Sequence, residues 1–167
     1  MTKPKRIFVL GHMGAGKALL SEALAKALQW KYIDANPSLE RYIGRSLSDI
    51  LGAQGEESFH RCETEIICHY IAQEHVVAVL EESVIATAEN RKLLSSEYVV
   101  YLKVSIPEQL SRMSGGRVPL LPIPDMKAFL EKQHLERDNL FEEVATLIIE
   151  SISVEEDVRK IMTVLES

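Results

Sequence analysis

Cysteine is scarce in this chain: of 167 residues only Cys62 and Cys68 are cysteine. Six positions apart in a helical pattern, they are poorly placed to pair, or to hold zinc with His60 or His69. They read as reduced thiols and point to a cytoplasmic protein. Long apolar runs are missing too, and none approaches the roughly 20 residues of a membrane helix. Positive charge is not in excess. The formal net charge of −6 argues against a nucleic-acid partner, which needs a basic face. The basic stretch Met1–Arg6 runs straight into a short apolar segment, Ile7–Leu10, rather than a signal-peptide core. Repeats, linkers and low-complexity segments are likewise missing, so one domain spanning 1–167 and acting as a monomer is expected.

What is present is an ordinary globular composition, 46% hydrophobic and 26% charged. Strand-like segments at Ile7–Leu10, Tyr32–Ile33, Val76–Leu80, Tyr98–Val104 and Thr146–Ile149 alternate with helical patterns. Leu19, Leu20, Ala23, Leu24, Ala27 and Leu28 repeat with helical period, as do Phe59, Cys62, Ile66, Ile67, Tyr70 and Ile71 within a helix over 55–73. Further helices are expected from Pro37, from Ser46, over 86–94, from Pro107, over 125–144 and from Val154. Ser114–Pro124, with two glycines and three prolines, reads as a loop. Val76–Leu80 is apolar throughout, as a strand buried on both faces of a parallel sheet must be. The pattern predicts an α/β fold of three layers, a five-stranded parallel sheet flanked by helices.

The motif with most chemical content is Gly11-His12-Met13-Gly14-Ala15-Gly16-Lys17, which follows a strand and opens a helix. Its glycines let the backbone wrap a phosphate and present N–H groups at the positive end of the helix, and Lys17 reaches the outer phosphates. Gly11, Met13, Gly14, Ala15, Gly16, Lys17 and Ala18 are therefore the expected nucleotide cradle. Ala18 stands where a Ser or Thr hydroxyl ordinarily helps hold Mg²⁺, so weakened metal positioning is expected.

Beyond this loop the chain resembles the shikimate kinase family along nearly its whole length. The resemblance rests on ordered segments: Tyr32-Ile33-Asp34-Ala35-Asn36, Gly44–Ile50, Gly55-Glu56 through Phe59 and Glu63, Glu89-Asn90-Arg91, Pro119-Leu120-Leu121, and Arg137 with Leu140 and Phe141. It implies a nucleoside-monophosphate-kinase type of fold, with an acceptor-binding region at about 34–63 and a lid at about 112–125. It also implies transfer of the γ-phosphate of ATP to a shikimate hydroxyl with Mg²⁺, as in aromatic amino acid biosynthesis. By resemblance Asp34 is a metal-holding acid, Arg112 lies against the nucleotide base and Arg137 binds the acceptor carboxylate.

Several matched positions depart from the family. Asn36 replaces the acid that contacts the acceptor, and an amide cannot take a proton. His60 replaces a substrate-binding arginine. Arg61 is adjacent, but one residue along a helix turns the side chain by about 100°. Glu81-Glu82-Ser83 replaces a Gly-Gly-Gly turn, placing carboxylates where an anionic acceptor and phosphates would sit. Val118 holds the place of a lid arginine, leaving Arg117 one residue earlier as the candidate catalytic cation. Three readings follow: a shikimate kinase of weak or lost activity, a kinase for another small hydroxylated acceptor that is neutral or cationic, and a nucleotide-binding regulatory pseudokinase.

Plainer roles compete for several residues. Asp34 can serve as a helix N-cap, Arg137 as a surface arginine, and Glu81 and Glu82 as acids at the positive end of the next helix. His12 reads as a tolerated loop side chain, and His69, His75 and His134 show no partner in the sequence. Trp30 reads as core edge.

Overall fold

In the computed structural model, which describes residues 3–34, 55–113 and 126–167 apart from the side chains of 55–60, Ile7–Leu10 is wholly shut away from solvent. Alternation along this strand sends Ile7 and Val9 into one core, and Phe8 and Leu10 into another, because successive strand side chains point to opposite faces. An apolar run is what such a strand requires, since helices cover both of its faces.

The elements run β1 (Arg6–Leu10), α1 (Lys17–Leu28), β2 (Lys31–Asp34), α2 (Gly55–Ile71), β3 (Val76–Val79), a 3-10 turn at Glu82–Ala86, α3 (Ala88–Leu94), β4 (Tyr98–Lys103), α4 (Ile106–Met113), α5 (Met126–Val144), β5 (Leu147–Glu150) and α6 (Val154–Glu166). The five strands are all parallel, in the order β2-β3-β1-β4-β5. On one face Leu20, Leu24 and Ala25 of α1 and Ile161 of α6 pack against Val77, Val100 and Leu102. On the other, Ile66, Ile67 and Tyr70 of α2, Leu94 of α3 and Phe141 of α5 pack against Phe8, Ala78 and Tyr101. The expected three-layer arrangement is thus present. In parallel sheets of this kind ligands bind outside the carboxyl ends of the strands, which here carry Gly11, Asp34 and Glu81.

One helix differs from expectation. The helix expected over 86–94 is divided into the 3-10 turn and α3 by Thr87, whose backbone is extended (φ −97, ψ 125). Side chains of α3 satisfy the interrupted turn: Asn90 Nδ2 donates to the Val84 carbonyl (3.2 Å), and Arg91 donates to that of Ile85 (2.8 Å). The helices expected from Pro37 and Ser46, and the 114–124 loop, lie outside the described residues. Trp30 is partly buried beside the α1 core and meets the ring of His75 edge-on at 5.6 Å. Among the described residues no helix is long and apolar enough to cross a membrane.

Leu24, fully buried between α1 and the sheet, provides a test of this packing. Leu24→Ala should lower unfolding free energy by about 2–5 kcal/mol, read by urea denaturation. An exposed-helix substitution such as Lys26→Ala should cost far less.

Candidate active site

The turn from β1 into α1 is built on left-handed glycines. Gly14 has φ +75 and Gly16 φ +90, conformations that cost an L side chain roughly 1 kcal/mol or more. A Cβ on Gly14 would also sit 2.6 Å from Met113 Cγ, so α4 packs directly on the loop. The turn closes through the Ala15 N–H donating to the His12 carbonyl at 3.2 Å. Lys17, the first residue of α1, folds back so that Nζ donates to the carbonyls of Gly11 (2.9 Å) and His12 (3.0 Å).

A cavity of about 980 Å³ opens over this loop and runs along the carboxyl edge of the sheet. Its wall includes residues 13–20, Asp34, Glu81, Glu82, Arg112 and the segment 151–154. Lys17, Arg112, Asp34 and the cradle residues, separated in sequence, are therefore brought to one site. Arg112 closes one end: its guanidinium donates to the Ala15 carbonyl (2.5 Å) and Ser151 Oγ (2.9 Å), and Nε pairs with Glu108 (3.1 Å). Asp157 stiffens the facing segment by accepting from Ser151 Oγ (2.7 Å) and the Ile152 N–H (3.0 Å).

The acids sit at the other end. Glu82 Oε2 lies 3.7 Å from Lys17 Nζ, so a carboxylate occupies the neighbourhood of the phosphate-seeking ammonium. Burial pushes the Glu81 carboxyl up to about 7; Glu82, Asp34 and Glu63 add to the shift, and Lys17 opposes it. Glu81 precedes the 3-10 turn, but its side chain makes no capping bond there. The expected placement of both acids at the start of the next helical turn holds, with Glu81 at the N-cap position and Glu82 in the first turn, where Glu82 also engages Lys17. Beneath them Glu63 is buried and accepts from Ser83 Oγ at 2.6 Å. Asp34 lines the cavity and accepts from the Tyr32 hydroxyl at 3.5 Å. Burial, followed by the charge of Asp34, raises that hydroxyl to about 12.

Oxygen donors of this kind suit Mg²⁺, and Asp34, Glu81 and Glu82 face the cavity together. The donor set therefore fits the ion in kind, while Ala18 supplies no oxygen.

His12 is not a free loop side chain. It is buried, and its Nε2–H donates to Asp138 of α5 at 2.5 Å. Its pKa is lowered to about 4, chiefly by burial and against the pull of Asp138. His134, expected to lack a partner, stacks on the His12 ring with centroids 3.9 Å apart and bonds both Asp138 and Gln109. Gln109 in turn donates to the Met13 carbonyl at 2.7 Å. No local pattern marks these contacts, since Asp138 lies 126 positions from His12. Arg137, next to Asp138 on α5, is partly buried and is not among the residues lining the cavity. Asn36 and Arg117, and the side chain of His60, lie outside the described residues.

Comparisons with known proteins agree with one another. A family model for shikimate kinase matches residues 13–166. A shikimate kinase of Francisella tularensis subsp. novicida (strain U112) is 35% identical over 170 residues, covering 99% of this chain and 97% of that one. The structure of a shikimate kinase from Acinetobacter baumannii in complex with shikimate superposes with a TM-score of 0.87 at 28% identity, covering 98% of this chain and 93% of the other. A shikimate kinase from Bacteroides thetaiotaomicron shares the fold, with a TM-score of 0.88 at 22% identity over 98% and 99% of the two chains.

Glu81 makes stability depend on pH. Its folded pKa of about 7 exceeds the ordinary glutamate value of 4.5, so the native state holds the proton more tightly than the unfolded chain. Stability from this group falls as pH rises from about 4.5 to about 7, and stays low above that. Glu81→Gln should therefore raise Tm above pH 7, by an equivalent on the order of 1–3 kcal/mol, and the gain should fade towards pH 4.5. Thermal melts of both proteins across that range check the sign.

Proposed function

The chain belongs to the shikimate kinase family, and on that premise we propose that it binds ATP or ADP in the cavity over the phosphate loop while transferring phosphate to shikimate slowly or not at all. The observation that carries this reading is the pairing of Glu82 with Lys17 at 3.7 Å, beside the partly buried Glu81. The glycine turn presents the N–H groups of the α1 terminus to a phosphate. Lys17 exchanges its Gly11 and His12 carbonyls for phosphate oxygens, and Glu82 must give way as it does so. On this reading Arg112 lies against the base, supported by its position in the cavity wall with Ile152 and Val154. Asp34 is the residue to hold Mg²⁺, with Glu81 or Glu82 as further oxygen donors. When bound, that ion would neutralise charge on the transferring phosphoryl group.

The acceptor side supports slow transfer. Shikimate is anionic, and carboxylates at 81 and 82 repel both it and the outer phosphates. Asn36 cannot accept a proton, and His60 stands where the family places an arginine. The acceptor region at 34–63 and the lid at 112–125 belong to this proposal, as do one domain over 1–167, a monomeric state and a cytoplasmic location. Losses of this kind cost a few kcal/mol each in a transition state and do not add independently.

A second reading rests on Glu81 itself. A carboxyl titrating near 7 is in the range of an effective general base, and negative charge around it favours a neutral or cationic hydroxylated acceptor. A nucleotide-binding regulatory role is what remains if no acceptor is turned over.

Lys17→Ala should weaken ADP binding by at least tenfold in calorimetry, and unchanged affinity would remove the phosphate-loop assignment. Glu82→Gln should tighten ADP roughly three- to tenfold by freeing Lys17. For the reaction, ADP release from Mg·ATP is followed with and without saturating shikimate at high protein concentration. No shikimate-dependent turnover with nucleotide binding intact is the expected result. A shikimate-dependent rate in the ~1–100 s⁻¹ range of kinases, or submicromolar shikimate binding, overturns it.

A further inference from the structure

Behind the phosphate loop, on the side facing α5, lies a polar cluster that the nucleotide site does not use. His12 enters it from the loop. His134 and Asp138 enter from α5, four residues apart and so on one helical face. Their ligand-capable atoms all lie within 4.8 Å of one another, and among the described residues this is the one such group of His, Cys, Asp and Glu.

The hydrogen-bond directions fix which atoms of the cluster face one another. Gln109 donates through Nε2 to the Met13 carbonyl (2.7 Å), which turns its Oε1 towards His134. Oε1 only accepts, so the proton of His134 lies on Nε2, in a bond of 2.6 Å. His134 Nδ1, the nitrogen left over as a ligand atom, faces both oxygens of Asp138, at 3.1 and 3.2 Å. A metal ion fits this contact in place of a hydrogen-bonding proton. A histidine whose outer N–H is fixed by an amide or carbonyl is also how proteins orient an imidazole ligand towards a metal.

We propose that His12 Nε2, His134 Nδ1 and the Asp138 carboxylate form a site for a borderline transition-metal dication, typified by Zn²⁺, separate from the Mg²⁺ of the nucleotide site. Two imidazoles and one carboxylate are a zinc-like donor set, and water completes four-coordination. His12 already points Nε2 at Asp138, so its ligand form needs only the shift of a proton from Nε2 to Nδ1. The dication displaces the protons that now fill the contacts to Asp138, and binding releases them. Entry requires two movements. Asp138 must draw back from His12, because ligands of one zinc stand about 3 Å apart at the bond lengths zinc adopts, against 2.5 Å here. The His134 ring must also turn out of its stack, whose planes are 20° apart. The Asp138 side chain keeps 33% of its surface exposed, leaving it room to move. A bound ion ties the second residue of the phosphate loop to the helix that carries Arg137.

The test uses the tag-free full chain dialysed against Zn²⁺, with bound metal measured by mass spectrometry and Co²⁺ as an optical probe. About one equivalent per chain is expected, resistant to excess Mg²⁺, with visible Co²⁺ bands lacking thiolate charge transfer. His134→Gln and Asp138→Asn should each weaken Zn²⁺ binding at least tenfold while melting normally in EDTA. If one variant fails to fold, the other carries the test. Uptake unchanged in the folded variants, or a thiolate band marking Cys62 or Cys68 as ligand, overturns the proposal. So does failure to take up Zn²⁺ when it is well above the protein concentration.

Discussion

A lysine at the mouth of a parallel sheet has to have its charge met, and the rest of this site follows from how Lys17 meets it. Two backbone carbonyls, of Gly11 and His12, take its protons at 2.9 and 3.0 Å. They can do so because left-handed Gly14 and Gly16 turn the chain back over the end of β1. The parallel pairing of β1 with β3 brings the residues after Val79 alongside, and Glu82 arrives within 3.7 Å. In an ordinary phosphate loop that neighbourhood is left to phosphate. Here a carboxylate of the chain competes for it, and ligand affinity becomes the difference between two electrostatic partners.

The frame of the molecule was legible because buried parallel strands have no other way to be written. Ile7–Leu10 and Val76–Leu80 lack polar residues at every position, and a glycine-rich turn with Lys17 follows the first. The break at Thr87 was not legible: Asn90 and Arg91 stood out only as part of a family segment, and their bonds to the Val84 and Ile85 carbonyls depend on how the chain turns before α3. The cluster behind the loop was hidden for a different reason. Its members come from the loop, α4 and α5, and only the packing of these elements makes His12 and His134 neighbours. Gln109, fully buried, carries no mark in the sequence that separates it from an exposed helical glutamine. Glu81 and Glu82 were visible as a departure from a glycine turn, but their consequences depend on burial and on the distance to Lys17.

The two glutamates do not act as two equal charges. Glu82 is compensated by Lys17, whereas Glu81 is shifted by desolvation first and by its acidic neighbours second. Near pH 7 Glu81 is divided between neutral and ionised forms. A count of carboxylates therefore overstates the negative field met by an incoming phosphate, because binding an anion favours the protonated form of Glu81. The cost of that uptake is small near neutral pH and grows as pH rises. An intact phosphate loop and an acidic strand end can thus coexist in one cavity. The first supplies directional N–H donors that do not titrate, while the second opposes ligand binding to an extent set by pH. On the proposed reading an anionic acceptor gains nothing comparable, because it meets the same carboxylates without a glycine cradle to offset them.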